Sequence, residues 1–247
     1  MKLTAWKLKL GLVLILSSAL VYAAQLAIFH KPEDTYFYMM QDLAFLPVQV
    51  LLVTMILDQL FKRRERLEMR KKMNMVIGAF FTELGTPLVR RFMEFDSTDG
   101  AFHGALKLRT DWKDADFTAA RTAVQSHKFT MDARLGDLAG LKEFTDEKRM
   151  FLMGLLENPN LLEHESFTEL LWALTHLSQE LASRHDLKTL PQTDYVHLGN
   201  DIRRAYVLLL SEWLGYNSHL QEDYPYIYSL VVRTNPFDTD ARVEIMQ

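Results

Sequence analysis

Seven acidic and imidazole side chains between Glu165 and Asp201 have the types and spacing of a metal-ligand set. Glu165, Glu169, His176 and Glu180 fall within about 60° of one another on a helical wheel at 100° per residue. On the next expected helix, Asp194, His197 and Asp201 share one side. Antiparallel neighbours would bring the two groups together, which is how carboxylate and imidazole ligands build di-iron centres inside helical bundles. That architecture uses two Glu-x-x-His motifs and two further glutamates, and this chain has one loose analogue, Asp194-x-x-His197. Glu169, His176, Glu180, Asp194, His197 and Asp201 are therefore the candidate metal ligands. The competing account, which the sequence favours, is a solvated acidic face beside an apolar stripe.

Other chemistry is sparse. His185-Asp186 matches a dipeptide found in metal-dependent phosphohydrolases, but its place at an expected helix end favours capping by Asp186. The phosphate loop G-x-x-x-x-G-K-[ST], the G-x-G-x-x-G turn, the H-E-x-x-H zinc helix and the G-x-S-x-G elbow are all missing. Cysteine is absent, which excludes disulfides, thiolate catalysis and cysteine-ligated zinc. No cofactor is expected and no catalytic residue stands out. Arg203-Arg204 are expected to bridge nearby acids, and Tyr224-Pro225-Tyr226-Ile227-Tyr228 to dock a last helix onto the core.

The elements that must position these residues divide the chain sharply. Leu10–Phe29 and Leu43–Phe61 are apolar runs of the length that spans a bilayer, roughly 20 residues. The second carries Pro47, where a kink is expected. It is followed at once by Lys62, Arg63, Arg64, Arg66, Arg70, Lys71 and Lys72. The first is preceded by Lys2, Lys7 and Lys9, whereas the segment between the runs has Lys31 against Glu33 and Asp34. The excess of basic residues places both termini in the cytoplasm and the segment outside. Trp6 and Tyr36-Phe37-Tyr38 fit interfacial anchors. A cleavable signal peptide is the rival reading of the first run, but apolar residues continue through Leu26–Phe29 beyond the small-residue site near Tyr22-Ala23. Asp58 lies close to the inner boundary and four residues before Lys62, the spacing of a helical ion pair.

Charge follows the same division. Residues 1–72 hold 11 basic and 6 acidic side chains, net +5, while 73–247 hold 17 and 26, net −9. The acidic part lacks the basic stripe of a nucleic-acid binder, so nucleic acid is not an expected partner. The basic cluster suits anionic lipid headgroups. Beyond it, Met73, Val76, Ile77, Phe80, Phe81 and Leu84 recur at helical spacing and are assigned to a soluble core. Gly85-Thr86-Pro87 is expected to break and restart the chain, with Thr86 as a cap. Further helices are expected over about 111–128, started by an Asp111–Asp114 capping box, and over 141–157, 164–184, 193–216 and 224–233, with a polar tail from Phe237. The face Phe167, Leu170, Leu171, Leu174, Leu177, Leu181 is amphipathic.

The expected fold is all-α. It comprises a transmembrane hairpin (1–61, helices about 10–29 and 43–61, outer loop about 30–42), a basic juxtamembrane helix (62–72) and an acidic cytoplasmic helical domain (73–247). No resemblance to a known family is strong enough to carry a function. The leading expectation is a non-enzymatic scaffold, adaptor or regulator in a bacterial inner membrane, working as a homo-oligomer or within a membrane complex. A channel or transporter subunit, with Gln25, Gln49, Thr54 and Asp58 lining the path, and a metal-dependent enzyme are the alternatives.

Overall fold

The computed structural model describes residues 5–98, 100–162 and 164–244. It is all-helical: among the described residues the only extended pairing is an isolated bridge between Asp96 and Met131. The chain forms two compact units, 1–67 and 68–247.

In the first unit, α1 (Ala5–Phe29) leads into α2 (Pro32–Phe80). Two segments here, within Gly11–Ile28 and Pro32–Glu65, are long and apolar enough to cross a membrane, and neither is buried by the rest of the protein. The outer loop expected over 30–42 is instead helical from its third residue. Pro32 sits at the helix start, where its missing N–H costs nothing, and Glu33 and Asp34 lie in the first turn, where carboxylates meet the positive end of the helix dipole. The reversal falls on His30, whose φ of 53° ends α1 while its N–H donates to the Leu26 carbonyl at 3.1 Å. Across the pair, the Tyr22 hydroxyl donates to Asp42 at 3.4 Å.

The second unit includes the end of α2. Ile77 and Phe80 are buried, and Met73 and Val76 pack against the same core. The break expected at Gly85-Thr86-Pro87 does not occur. A π-helical stretch, Phe81–Gly85, carries the chain into α3 (Thr86–Met93), with the Thr86 N–H donating to the Phe81 carbonyl and no side-chain cap. Proline breaks an α-helix because it lacks a donor and crowds the carbonyl four residues back. The wider turn changes that pairing, so Pro87 is carried without an interruption.

The remaining helices are α4 (Gly100–Ala105), α5 (Asp114–Ser126), α6 (Leu138–Glu147), α7 (Arg149–Leu156), α8 (Pro159–Leu162), α9 (Glu165–Ala182), α10 (Gln192–Asp223) and α11 (Pro225–Arg233). The α5 cap lies past the expected Asp111: the Asp116 carboxylate accepts the Lys113 N–H at 2.8 Å, and Asp111 instead pairs with Arg109. The helix expected over 141–157 is two helices meeting at Lys148. Facing apolar stripes of α9 and α10 form the centre of the core, with Phe167, Leu170, Leu177, Ile202, Leu209 and Trp213 all buried. Aromatic rings join this centre to the end of α2: Phe80 meets Phe167 edge-on at 5.0 Å, and Phe81 stacks on Tyr216 at 5.0 Å.

The tail is not polar throughout. Phe237 is buried 5.6 Å from the Trp213 ring, and its N–H donates to the buried Asn235 side chain. The Tyr228 hydroxyl donates to the Arg109 carbonyl at 2.9 Å, so α11 docks as expected, while Tyr226 remains exposed. Asp96 is tied into the turn after α3. Its carboxylate accepts the Thr98 N–H at 2.8 Å and lies 2.9 Å from His103 Nε2.

Candidate metal centre

The site lies where α9 and α10 face each other. His164 starts α9, its Nδ1 accepting the Phe167 N–H at 3.2 Å, and the buried stripe orients the helix. The helix ends at Ala182. Lys142 then holds the chain end, its ammonium donating to the Arg184 carbonyl at 2.8 Å. Asp186 organises the turn that follows rather than capping a helix: its carboxylate accepts the Lys188 N–H at 2.8 Å and the Thr189 hydroxyl at 2.6 Å. The Tyr195 hydroxyl donates to the Lys188 carbonyl at 2.9 Å and pins this turn to the first turns of α10.

The side chains then pair so that numbers rise along α9 as they fall along α10, as antiparallel helices require. His176 Nε2 lies 3.4 Å from Asp201 Oδ2, and His197 Nε2 lies 3.3 Å from the same oxygen. His197 Nε2 is also 3.4 Å from Glu180 Oε2, and His176 Nε2 is 3.9 Å from Glu180 Oε1. One ligand-type atom each from His176, Glu180 and His197 falls within 4.8 Å of the others. His176 and His197 are half exposed, while the Asp201 side chain is only 5% exposed. Asp201 Oδ2 is buried and makes no hydrogen bond. It is close to both rings, but neither nitrogen is aimed to donate to it.

Of the six candidate ligands, His176, Glu180 and His197 converge within 4.8 Å, and Asp201 Oδ2 lies beside both rings. Asp194 is taken by Arg184, whose Nε and Nη2 reach both its oxygens at 2.7 and 2.6 Å. Arg184 Nη1 also donates to Glu180 Oε2 at 2.8 Å. These bonds hold the Glu180 and Asp194 carboxyls below the usual carboxylate range and raise the guanidinium further. Glu169 precedes His176 by two turns, about 10 Å along the helix, and has no place in the cluster. It lines a groove of about 730 Å³ with Trp172, His176, Arg203 and Arg204. Glu165 lines a separate shallow recess with His164. The bridges expected of Arg203 and Arg204 are absent among the described residues, and both side chains are exposed. Arg184 is the member of this cluster that the sequence did not single out, although its place four residues after Glu180 is a signal for a helical pair.

The other candidate residues are simpler. Asp58 pairs with Lys62 at 2.9 Å, both exposed, and the Thr54 hydroxyl donates to the Val50 carbonyl of its own helix at 2.7 Å. Lys62, Arg63, Arg64, Lys71 and Lys72 are exposed on α2, and the side chains of Arg66 and Arg70 lie outside the described residues.

These features define an all-helical protein in which two apolar N-terminal helices precede a packed helical domain. Two family models cover the chain: the N-terminal helical domain of MJ1433 matches residues 2–61, and the C-terminal helical domain of uncharacterized protein MJ1433 matches residues 69–233. Uncharacterized protein MJ1433 of Methanocaldococcus jannaschii is 41% identical over 236 residues, covering 96% of this chain and 95% of the relative. The chain belongs to the MJ1433 family. No solved structure matches it. The relative is archaeal, which speaks against the expected bacterial source.

Proposed function

We propose that this protein is a membrane-anchored, non-enzymatic scaffold or regulator that presents its acidic helical domain at the cytoplasmic face. The observation that carries this reading is the make-up of α2. One helix is apolar over Leu43–Phe61, basic over residues 62–72, and buried in the domain core from Ile77. A helix of this pattern is anchored at one end by hydrocarbon, at the headgroups by lysine and arginine, and at the other end by packing. Its partners are anionic lipid and either further copies of the chain or a membrane complex.

The chain has no cysteine, so single cysteines can report topology. Lys31→Cys is expected to react with an impermeant maleimide in intact cells, and Lys128→Cys only after lysis. Labelling of Lys128→Cys in intact cells overturns the cytoplasmic placement of the domain, and release of the protein by alkaline carbonate overturns the anchor. Detergent-solubilised protein that is monomeric and brings down no partner from native membranes overturns the scaffold role.

A further inference from the structure

We propose that His176, Glu180, His197 and Asp201 form a binding site for one divalent transition-metal ion of the zinc type, joining α9 to α10. This inference is independent of membrane anchoring. Four donors placed about 2.1 Å from a common centre in a tetrahedron stand about 3.4 Å apart. Here Asp201 Oδ2 stands 3.4 Å from His176 Nε2 and 3.3 Å from His197 Nε2, while Glu180 stands 3.4 Å from His197 Nε2 through Oε2 and 3.9 Å from His176 Nε2 through Oε1. That spacing is too long for good hydrogen bonds and suited to a shared cation.

Asp201 supplies the independent observation. Its side chain is 5% exposed, yet Oδ2 has no hydrogen-bond partner. A buried carboxylate oxygen left unpaired is costly, and a metal ion beside it removes that cost. Each helix contributes a histidine and an acid four residues apart, His176 with Glu180 and His197 with Asp201. Side chains one turn apart point to the same side, so each helix offers a bidentate clip. Arg184 donates to Glu180 Oε2 and is held in turn by Asp194, so the Glu180 carboxylate is fixed facing both imidazoles. Outer partners of this kind orient metal ligands.

The donor set selects the ion. Two imidazole nitrogens with two carboxylate oxygens suit zinc and its neighbours, whereas magnesium and calcium take oxygen ligands throughout. The half-exposed imidazoles let the ion enter from solvent without unfolding.

The test uses full-length protein in detergent, stripped with a chelator and titrated with ZnCl₂ by calorimetry and with Co²⁺ by visible absorption. One equivalent of Zn²⁺ is expected, with intense tetrahedral Co²⁺ bands and no effect of Mg²⁺. Zn²⁺ at about 100 times its Kd should raise Tm by roughly 5–10 °C. The near-isosteric Asp201→Asn and His197→Gln should each weaken Zn²⁺ binding by more than about 100-fold, beyond the effect of losing an outer partner. His185→Gln should leave it unchanged. Absence of saturable uptake by the folded wild-type chain, or wild-type affinity in Asp201→Asn, overturns the proposal. Should the variants fail to fold, histidine modification of the wild-type protein decides. Zn²⁺ must protect His176 and His197 from diethyl pyrocarbonate while leaving His185 reactive, and equal reactivity of all three refutes the site.

Discussion

Gly199→Ala separates local helix preference from tertiary packing, because the two predict opposite signs. Gly199 lies within α10 between His197 and Asp201, on the turn where the segment around Met131 crosses the helix. On helix preference alone, alanine should stabilise α10 by about 1 kcal/mol. A Cβ at this position, however, would stand 2.6 Å from the Met131 carbonyl oxygen and 3.5 Å from its carbon. Ordinary contact begins at 3.4 Å, so the crossing segment must yield by about 0.8 Å. It is held on both sides: the Asp132 N–H donates to the Phe95 carbonyl at 2.9 Å and the Ser97 N–H to the Thr130 carbonyl at 3.0 Å. Overpacking against a constrained neighbour typically costs about 1–3 kcal/mol, and against backbone the upper end applies. The net expectation is a loss of about 1–2 kcal/mol after the propensity gain. At roughly 2–4 °C per kcal/mol for a domain of this size, Tm should fall by about 2–8 °C. Thermal unfolding followed by circular dichroism measures this directly. An unchanged or higher Tm would refute the close approach of residue 131 to α10.

Other perturbations test separate parts of the molecule. Arg184→Gln should lower Zn²⁺ affinity by about 10–100-fold while the ion still binds, as for the loss of an outer partner, and calorimetry reads the change. The Asp96 side chain is inaccessible to solvent. Burial pushes its carboxyl up, but hydrogen bonds from His103 and Thr98 outweigh that and hold it below the ordinary value. A lowered carboxyl contributes stability that is complete above the unfolded value, about 3.9, and is lost as pH falls through the folded one. Asp96→Asn should therefore lower Tm at neutral pH and flatten its decline in acid, and melts across the acid range show whether it does. Trp213→Ala removes a ring 1% exposed and should cost about 3–5 kcal/mol, read as the shift of a urea midpoint at constant slope. Asp58→Asn breaks an exposed pair and should change stability by less than about 1 kcal/mol. Vesicle flux that depended on this residue would instead favour a conducting role.

The apolar pattern carried most of the helical architecture. The stripe from Phe167 to Leu181 is buried along its length, and the expected span 164–184 differs from α9 by only a few residues. Capping and turn positions were less readable, because several polar residues compete for one role. Asp111 and Asp116 are both acids near a helix start, and only three-dimensional placement selects Asp116. Likewise α10 continues to Asp223 rather than ending near Tyr216, since Gly215 keeps helical geometry and nothing after it disrupts the hydrogen-bond ladder. The wheel positions of His176, Glu180, His197 and Asp201 were visible, but their meeting depends on the length of the 183–191 connection and on the register of α9 against α10. Asp194 sat equally well on the wheel and was lost to Arg184, a competition between cation partners that spacing along one helix does not reveal.

The π-helical stretch at Phe81–Gly85 acts as an angular correction in the apolar code. Counting 100° per residue without interruption, Ile77, Phe80, Phe81, Leu84, Leu88, Val89 and Phe92 spread over about 180°. Counting the wide turn as one extra residue gathers all seven within about 120°, and all seven are buried. The amino-acid count from α2 to α3 is thus one longer than a uniform helix would need. Loss of a single residue from Phe81–Gly85 would give a more regular helix with a worse-facing stripe. Relatives that differ in length by one residue here should therefore also differ in which positions after it are apolar.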